Sequence, residues 1–394
     1  MYLTNKRIQF KFKYLIFKII VFFLFRISNP ILLYFLSEDC CDQKFRTDEK
    51  KFDYLKEFNN LSSKYKKDFF LNSFLKEISL VSYDFSHQLK KDNNEIHILI
   101  NMNNKYIYPT LVSINSALKN SNKNKNTLVY HVLCPNDIRR SFLKKLKSLL
   151  NFYPKNLIIV IYSMGNLFNR YKGSRFSEVT FYRLLSPIFI PLKKIIYLDS
   201  DVLVFKDLEE MYNLSFNNNY ILGILDYLSF GTDYLGLNSE KYINAGVLLI
   251  NLEKIRKDNK YYEMLYMYKT FKKLNNNDQT IINYVLYPNI GKLPPKFGIF
   301  NFNSIFDIKY LYLQKIRQNM NLTEIINAFK DPVIIHYTLC NPKVWYSNSK
   351  FVTKYTREGT IKKLKCQKYH SIWIESAKNT SFYDEIAKFY KIKR

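Results

Sequence analysis

Glycine is scarce in this sequence, with only 9 glycines among 394 residues. An average chain of this length holds about three times as many. The scarcity excludes collagen, glycine-rich linkers and architectures built on repeated glycine loops. Hydrophobic residues at 47% and charged residues at 24% lie near globular averages, so the chain is not disordered as a whole.

Cysteine is also sparse, and its spacing excludes two common motifs. The five cysteines include no C-x-x-C pair, so a zinc ribbon and a thioredoxin-type motif are both excluded. Their odd number leaves at least one thiol free or intermolecular in a lumenal protein. Cys340 and Cys366 are candidates for a disulfide, but the sequence alone leaves that pairing open.

Acidic residues are few relative to basic ones, 33 against 61, which gives a formal net charge of +28. Such an excess invites a nucleic-acid interpretation, because Lys and Arg neutralise phosphates. The lysines, however, are scattered among acids along most of the chain and form no single basic stripe. We therefore expect no nucleic-acid partner and attribute most of the excess to compositional bias.

An apolar stretch at residues 14–36 follows a basic segment at 1–13. Its length matches the roughly 20 residues needed to cross a bilayer, although Arg26 within it is costly. We predict an uncleaved signal-anchor helix, with 1–13 as a cytosolic tail and 37–94 as a stem. The alternative is a buried or surface amphipathic helix. The prediction makes the protein a single-pass type II protein of the Golgi or ER membrane, with the part of the chain after the stem in the lumen.

From Glu95 onward, short apolar strands alternate with helical patterns. Strands are predicted at 96–100, 127–133 and 157–161, and helices at 109–118 and 137–150. This alternation predicts an α/β fold with a parallel sheet and helices on both faces. We assign 95–350 to this α/β domain and 351–394 to a C-terminal helical extension.

The densest chemical signal is Asp199-Ser200-Asp201, which follows an apolar strand. In open parallel sheets, ligands gather beyond the carboxyl ends of the strands. Two carboxylates spaced i, i+2 at that place suit a hard divalent cation. A lone D-x-D is a weak signal, and a solvated acidic turn is the alternative.

Two downstream segments place polar residues beside apolar elements. Asn244-Ala245-Gly246 precedes a buried strand, and Gly246 would let a backbone approach a ligand closely. Asn277-Asp278-Gln279 heads an apolar helix, where Asp278 equally suits a helix cap.

A further strand ends at His336, and Lys343 and Trp345 follow it. The imidazole is a candidate third metal ligand, and Lys343 a candidate partner for phosphate charge. A lone histidine after a strand is more often structural.

The order of these segments from Glu95 to Trp345 resembles glycosyltransferase family 8. This group contains bacterial lipopolysaccharide galactosyltransferases, glycogenin and glucoside xylosyltransferases. The resemblance implies a GT-A type, Rossmann-like mixed sheet flanked by helices. It also implies that Asp199, Asp201 and His336 ligate Mn²⁺.

The same resemblance implies a binding site for a UDP-sugar donor. Tyr106 would stack on uracil, Arg183 would reach the donor sugar and phosphates, and Gln279 would position the sugar. The implied donor-binding residues are Asn101, Asn103, Tyr106, Arg183, Asp199, Ser200, Asp201, Asp226, Asn244 and Lys343. The implied catalytic residues are Asp278, Gln279 and Lys343.

The chain also departs from the family pattern at two places. Asn103 stands where many members carry Asp. The second place is the terminal motif, residues His336–Trp345. It lacks the glycine that family members usually carry, has one more residue between His336 and Lys343 than the family pattern, and has Val344 in place of the family's proline.

The implied activity is retaining transfer of a hexose or xylose from a UDP-sugar to a glycan or glycoprotein acceptor. The departures motivate an alternative, a catalytically impaired member that binds a sugar nucleotide or a partner. A soluble, self-glucosylating protein like glycogenin is the rival within the enzyme class.

Overall fold

The computed structural model describes residues 94–392 except for short internal gaps. The gaps are 139, 154, 165–166, 169–177, 227–236, 238–240, 271–276, 301–321, 339–342, 347–350, 356–360 and 366. The predicted tail and anchor, the predicted stem up to residue 93, and both Cys340 and Cys366 lie outside the described residues. Within the described ranges, no helix is both long and apolar enough to cross a membrane.

The strands account for most of the apolar runs in the sequence. In chain order they are β1 (Asn94–Asn101), β2 (Asn126–Cys134), β3 (Leu157–Ser163), β4 (Lys194–Leu198), β5 (Val202–Val204), β6 (Ile221–Leu225), β7 (Ile243–Asn251), β8 (Ile290–Lys292), β9 (Ile299–Phe300), β10 (Ile334–His336), β11 (Phe351–Tyr355) and β12 (Ile361–Lys365).

The helices lie between and after these strands. In chain order they are α1 (Ile107–Asn120), α2 (Arg140–Phe152), α3 (Ser186–Phe189), α4 (Glu209–Tyr212), α5 (Leu252–Lys257), α6 (Lys260–Thr270), α7 (Asn277–Leu286), α8 (Leu322–Lys330), α9 (Gln367–Lys378) and α10 (Tyr383–Tyr390). Two short 3₁₀ helices, Glu178–Leu185 and Pro295–Phe297, complete the described elements.

The central sheet has the strand order β3-β2-β1-β4-β7-β6-β8 in the part of the chain that the structure describes. β1 pairs in parallel with both β2 and β4, and β2 pairs in parallel with β3. β7 runs antiparallel to β4 and β6, so the sheet is mixed. Every residue of β2 is buried, which explains why most of its side chains on both faces are apolar.

A second, three-stranded sheet has the order β5-β10-β9. β10 pairs antiparallel with β5, with His336 opposite Val202. The Tyr337 N–H then donates to the Asp201 carbonyl at 2.9 Å. This pairing brings the end of β10 beside the Asp199-Ser200-Asp201 turn that joins β4 to β5.

The segment predicted as a helical extension begins with a hairpin. β11 pairs antiparallel with β12, and α9 and α10 follow. The helical prediction therefore applies to the later part of this segment, and its first part is strand.

Candidate active site

Three potential metal ligands meet at the carboxyl end of β4. Asp199, Asp201 and His336 each offer one ligand atom, and these atoms all lie within 4.8 Å of one another. His336 Nε2 lies 3.6 Å from Asp199 Oδ2 and 3.3 Å from Asp201 Oδ1. Two carboxylate oxygens and one imidazole nitrogen therefore face a common point, as a divalent cation requires.

The other oxygen of each aspartate is held by a cation. Arg183 Nη2 lies 3.2 Å from Asp199 Oδ1, and the Tyr197 hydroxyl donates to the same oxygen at 2.7 Å. Lys343 Nζ donates to Asp201 Oδ2 at 2.5 Å and to the Tyr337 carbonyl at 2.8 Å. Both carboxylates are thereby oriented with their free oxygens toward His336.

These charges shift the pKa values of the site. Burial opposes ionisation of Asp201, but Lys343 and His336 outweigh it and hold the pKa of that carboxyl well below its usual range. Arg183 and His336 likewise outweigh burial at Asp199 and lower its pKa. Burial favours neutral His336, but the two carboxylates raise its pKa to about 9. Both aspartates are therefore ionised at neutral pH.

Gly246 makes room for this cluster. A Cβ at this position would lie 2.1 Å from His336 Cε1 and 2.8 Å from Asp199 Oδ2, closer than real Cβ contacts. The Gly246 carbonyl also accepts the Asp199 N–H at 2.8 Å. The sequence predicted that this glycine admits a ligand, and the structure shows that it admits the His336 ring.

Arg183 lies beneath the site, where it connects two acidic residues. Its Nε pairs with Asp278 Oδ2 at 3.0 Å, its Nη1 donates to the Ala245 carbonyl, and its guanidinium stacks 3.9 Å above the Tyr197 ring. Burial raises the pKa of Asp278 to about 6, against the effect of Arg183. The resemblance implied contact between Arg183 and the donor, whereas here all three guanidinium nitrogens have protein partners.

Ser200 and Asn101 join the metal-site turn to β1. The Ser200 hydroxyl donates to the Asn101 carbonyl at 2.8 Å and accepts from the Thr110 hydroxyl at 2.9 Å. The Asn101 side chain donates to the Val179 carbonyl at 2.9 Å. Both residues fix the backbone of the site in this structure.

Gln279, Asp226 and Asn244 form a second polar group. Gln279 Nε2 donates to Asp226 Oδ2 at 2.7 Å, and its Oε1 accepts from the Ala245 N–H at 3.1 Å. The Asn244 side chain accepts from the Gly246 N–H at 2.9 Å. The ends of α7, β6 and β7 thus meet beside the candidate metal site.

Tyr106 lies at the end of the β1–α1 connection and contacts Trp345. Asn103 Oδ1 accepts the Lys105 N–H at 3.0 Å, which shapes the turn before Tyr106. The Tyr106 ring meets Trp345 edge-on, with centroids 5.7 Å apart. Burial raises the pKa of the Tyr106 hydroxyl.

Sequence reasoning missed Tyr197, which orients both Asp199 and Arg183. A signal was available, because Tyr197 precedes Asp199 by two residues and a strand places such residues on one face. It also missed Thr110 and the carbonyls of Ala245 and Tyr337, which no sequence pattern distinguishes.

Comparison with known proteins identifies the family. Residues 97–349 match the model described as glycosyl transferase family 8. The chain belongs to glycosyltransferase family 8.

Two bacterial relatives illustrate the family 8 match. A lipopolysaccharide 1,2-glucosyltransferase of Escherichia coli is 27% identical over 241 residues, covering 58% of this chain and 66% of the relative. The glycosyltransferase GlyE of Streptococcus pneumoniae is 26% identical over 216 residues, covering 50% of each protein. The chain thus spans about half to two thirds of the length of these relatives.

Solved structures agree with the fold of this family 8 chain. The bifunctional glycosyltransferase WbbM superposes with a TM-score of 0.59 at 21% identity, covering 76% of this chain and 52% of WbbM. The galactosyltransferase LgtC, solved with donor and acceptor sugar analogues, gives a TM-score of 0.56 at 18% identity, covering 75% of this chain and 100% of LgtC. The mixed α/β sheet therefore resembles GT-A glycosyltransferases.

Proposed function

We propose that this family 8 glycosyltransferase is a Mn²⁺-dependent, retaining enzyme that moves a hexose or xylose from a UDP-sugar to a glycan or glycoprotein acceptor. The observation that carries the proposal is the convergence of Asp199, Asp201 and His336 at the carboxyl end of β4. The similar protein of Escherichia coli is a glucosyltransferase and the structural neighbour LgtC is a galactosyltransferase, which supports a hexose donor.

The residues present fit a divalent cation. Asp199 Oδ2, Asp201 Oδ1 and His336 Nε2 face one another, and the two aspartates are ionised. When bound, the ion would act as a Lewis acid and stabilise the negative charge on the diphosphate of the UDP leaving group.

Lys343 supplies the second positive charge for the leaving group. Its ammonium group lies beside Asp201, so it would add positive charge next to the residues that would hold the metal. An ammonium placed where negative charge develops stabilises the transition state.

The polar group around Gln279 is suited to hold the donor sugar. Gln279 and Asp226 are hydrogen-bonded to each other, and the Ala245 N–H fixes the amide orientation. Asp278 is held by Arg183 beneath the same group. We assign Gln279 a positioning role and no covalent role.

The test is UDP release with Mn²⁺ and a panel of UDP-sugars. We expect turnover with at least one donor, and a loss of about 100-fold or more in Asp201→Asn. Asp331→Asn is the matched control, because this exposed carboxylate pairs only with Lys206 among the ion pairs of the described residues. Turnover that persists in Asp201→Asn without metal would contradict the metal assignment. UDP binding without turnover of any donor would favour the impaired-member alternative.

A further inference from the structure

The C-terminal helices α9 and α10 lie beyond the family match, which ends at residue 349. They nevertheless pack against the two segments that flank the candidate donor site. One is the segment Lys343–Tyr346, which carries the lysine beside Asp201, and the other is the turn that carries Tyr106. The family resemblance therefore does not explain this contact.

α9 contacts the lysine-bearing segment through a hydrogen bond and a ring pair. The His370 Nδ1 bonds to the Val344 carbonyl, and since a carbonyl only accepts, Nδ1 carries the proton. The Trp373 ring packs against Trp345, with centroids 5.6 Å apart. Both tryptophans are 1% exposed, so this contact lies in the core.

α10 connects the same segment to the Tyr106 turn. Tyr390 packs against Tyr346 at a centroid distance of 5.3 Å and against Trp345 at 6.3 Å. Its hydroxyl donates to the Lys105 carbonyl at 3.4 Å. One buried side chain thus touches both flanks of the candidate donor site.

The position of Trp345 depends on these rings. Among the described residues, its indole Nε1 has no hydrogen-bond partner. Packing against Trp373, Tyr106 and Tyr390 therefore locates the ring, and Trp345 lies only two residues from Lys343.

We propose that α9 and α10 position the donor site, with His370, Trp373 and Tyr390 acting as positioning residues for Lys343 and Tyr106. The proposal rests on the proposed function, because it assumes that these two side chains meet a nucleotide diphosphate. Its structural half, the support of residues 343–346, holds independently of the ligand.

The experiment compares full-length variants. His370→Leu removes the hydrogen bond, His370→Asn keeps an N–H donor, and Trp373→Leu removes the ring contact. Ile386→Val removes one methyl group from a fully buried residue of α10 outside these contacts, and serves as the destabilised control. Glu375→Gln changes an exposed residue of α9 and serves as the surface control.

Two readouts are measured at a temperature where all variants are folded. The first is the Kd of UDP in the presence of Mn²⁺, and the second is hydrogen exchange of the backbone amides in 343–346. We expect His370→Leu and Trp373→Leu to weaken UDP binding about tenfold, as small displacements of binding groups do. Both should also speed exchange in this segment, and His370→Asn should restore most of each effect.

The outcomes separate this inference from the proposed function. Unchanged exchange in both leucine variants, or equal effects in Ile386→Val, overturns the positioning role. Faster exchange with an unchanged UDP Kd overturns the link to the donor site. If the wild-type protein binds no UDP, the proposed function and the donor half of the inference both fail, and exchange still decides the structural half.

Discussion

At the scale of single residues, the candidate metal site is organised by which oxygen of each aspartate is already occupied. Arg183 and Tyr197 hold Oδ1 of Asp199, and Lys343 holds Oδ2 of Asp201. The oxygens that remain face His336. The sequence predicted the three ligands. It did not predict which oxygen of each aspartate faces His336, because a carboxylate rotamer is set by its neighbours in space.

The first prediction concerns Lys343, whose ammonium would compete with a metal ion for Asp201. We expect Lys343→Met to tighten Mn²⁺ binding without nucleotide by about tenfold, because it removes a like charge near the dication. The same variant should weaken UDP binding in the presence of Mn²⁺. Calorimetric titration with Mn²⁺ alone, and then with UDP, measures both effects.

Lys206→Met is the matched control, because this exposed lysine pairs with Asp331 away from the cluster. Weaker Mn²⁺ binding in Lys343→Met would contradict the competition and show that the lysine only orients Asp201.

The second prediction concerns Gly246. We expect Gly246→Ala to weaken Mn²⁺ binding at least about tenfold, because the new methyl group displaces His336 and Asp199. Gly291→Ala is the matched control, since a Cβ there would lie 2.3 Å from Leu222 Cδ2 and its nearest neighbours include no candidate metal ligand. Each variant should lose about 1–3 kcal/mol of stability from overpacking. Equal Mn²⁺ affinity in both variants would contradict the assignment of this cluster as the metal site.

At the scale of elements, the buried strands β1, β2 and β3 were predictable because most of their residues are apolar over five or more positions. β1, β2 and β3 include the predicted strands, and α1 and α2 cover the predicted helices apart from the first residues of the second. Short elements were not predictable in this way, since a strand of two or three residues, such as β9, is too short to show a hydrophobic period. Arg183 sits in a 3₁₀ helix, whose apolar pattern does not distinguish it from an α-helix.

Three adjacent strands also carry a chain of titratable groups outside the candidate active site. His97 Nδ1 on β1 lies 3.1 Å from His131 Nε2 on β2, and His131 Nδ1 lies 2.9 Å from the Tyr162 hydroxyl on β3. Burial and the neighbouring His97 lower the pKa of His131 to about 3. His131 is therefore neutral in the folded protein across the physiological range.

The third prediction is the pH dependence of stability that follows. Below about pH 6.5 the unfolded chain takes up a proton on His131, while the folded protein does not until about pH 3. The free energy of unfolding should therefore fall as pH decreases through this window, by up to about 1.4 kcal/mol per pH unit from this group. Urea unfolding of wild type and His131→Gln between pH 7 and 5 measures the contribution. An identical pH slope in the two proteins would contradict a neutral, buried His131.

At the scale of the whole molecule, the net charge of +28 gave little functional information. Of the described basic residues behind this charge, Arg183 and Lys343 are the two that pair with the aspartates of the candidate site. The predicted domain boundaries and the localisation stay predictions, since the predicted tail, anchor and nearly all of the stem lie outside the described residues.

The fourth prediction concerns residues 14–36 of the full-length chain. If they form the expected signal-anchor, the protein should sediment with membranes and resist alkaline carbonate extraction, because a membrane-spanning helix is held by its apolar length. A variant lacking 1–36 should move to the supernatant. Full-length protein released by carbonate would support the amphipathic-helix alternative.

The sequence by itself determined the family, the strand-helix alternation and the three candidate metal ligands, because local spacing and the order of motifs are enough to identify them. Tertiary structure decided how the ligands are used. The pairing of β10 with β5 brings His336 to the aspartates, and Lys343 reaches Asp201 across 142 residues of sequence. Arg183 is turned inward onto two acids, and α9 and α10 support the lysine-bearing segment. These contacts join distant parts of the chain, and local periodicity carries no information about which distant side chain will be the neighbour.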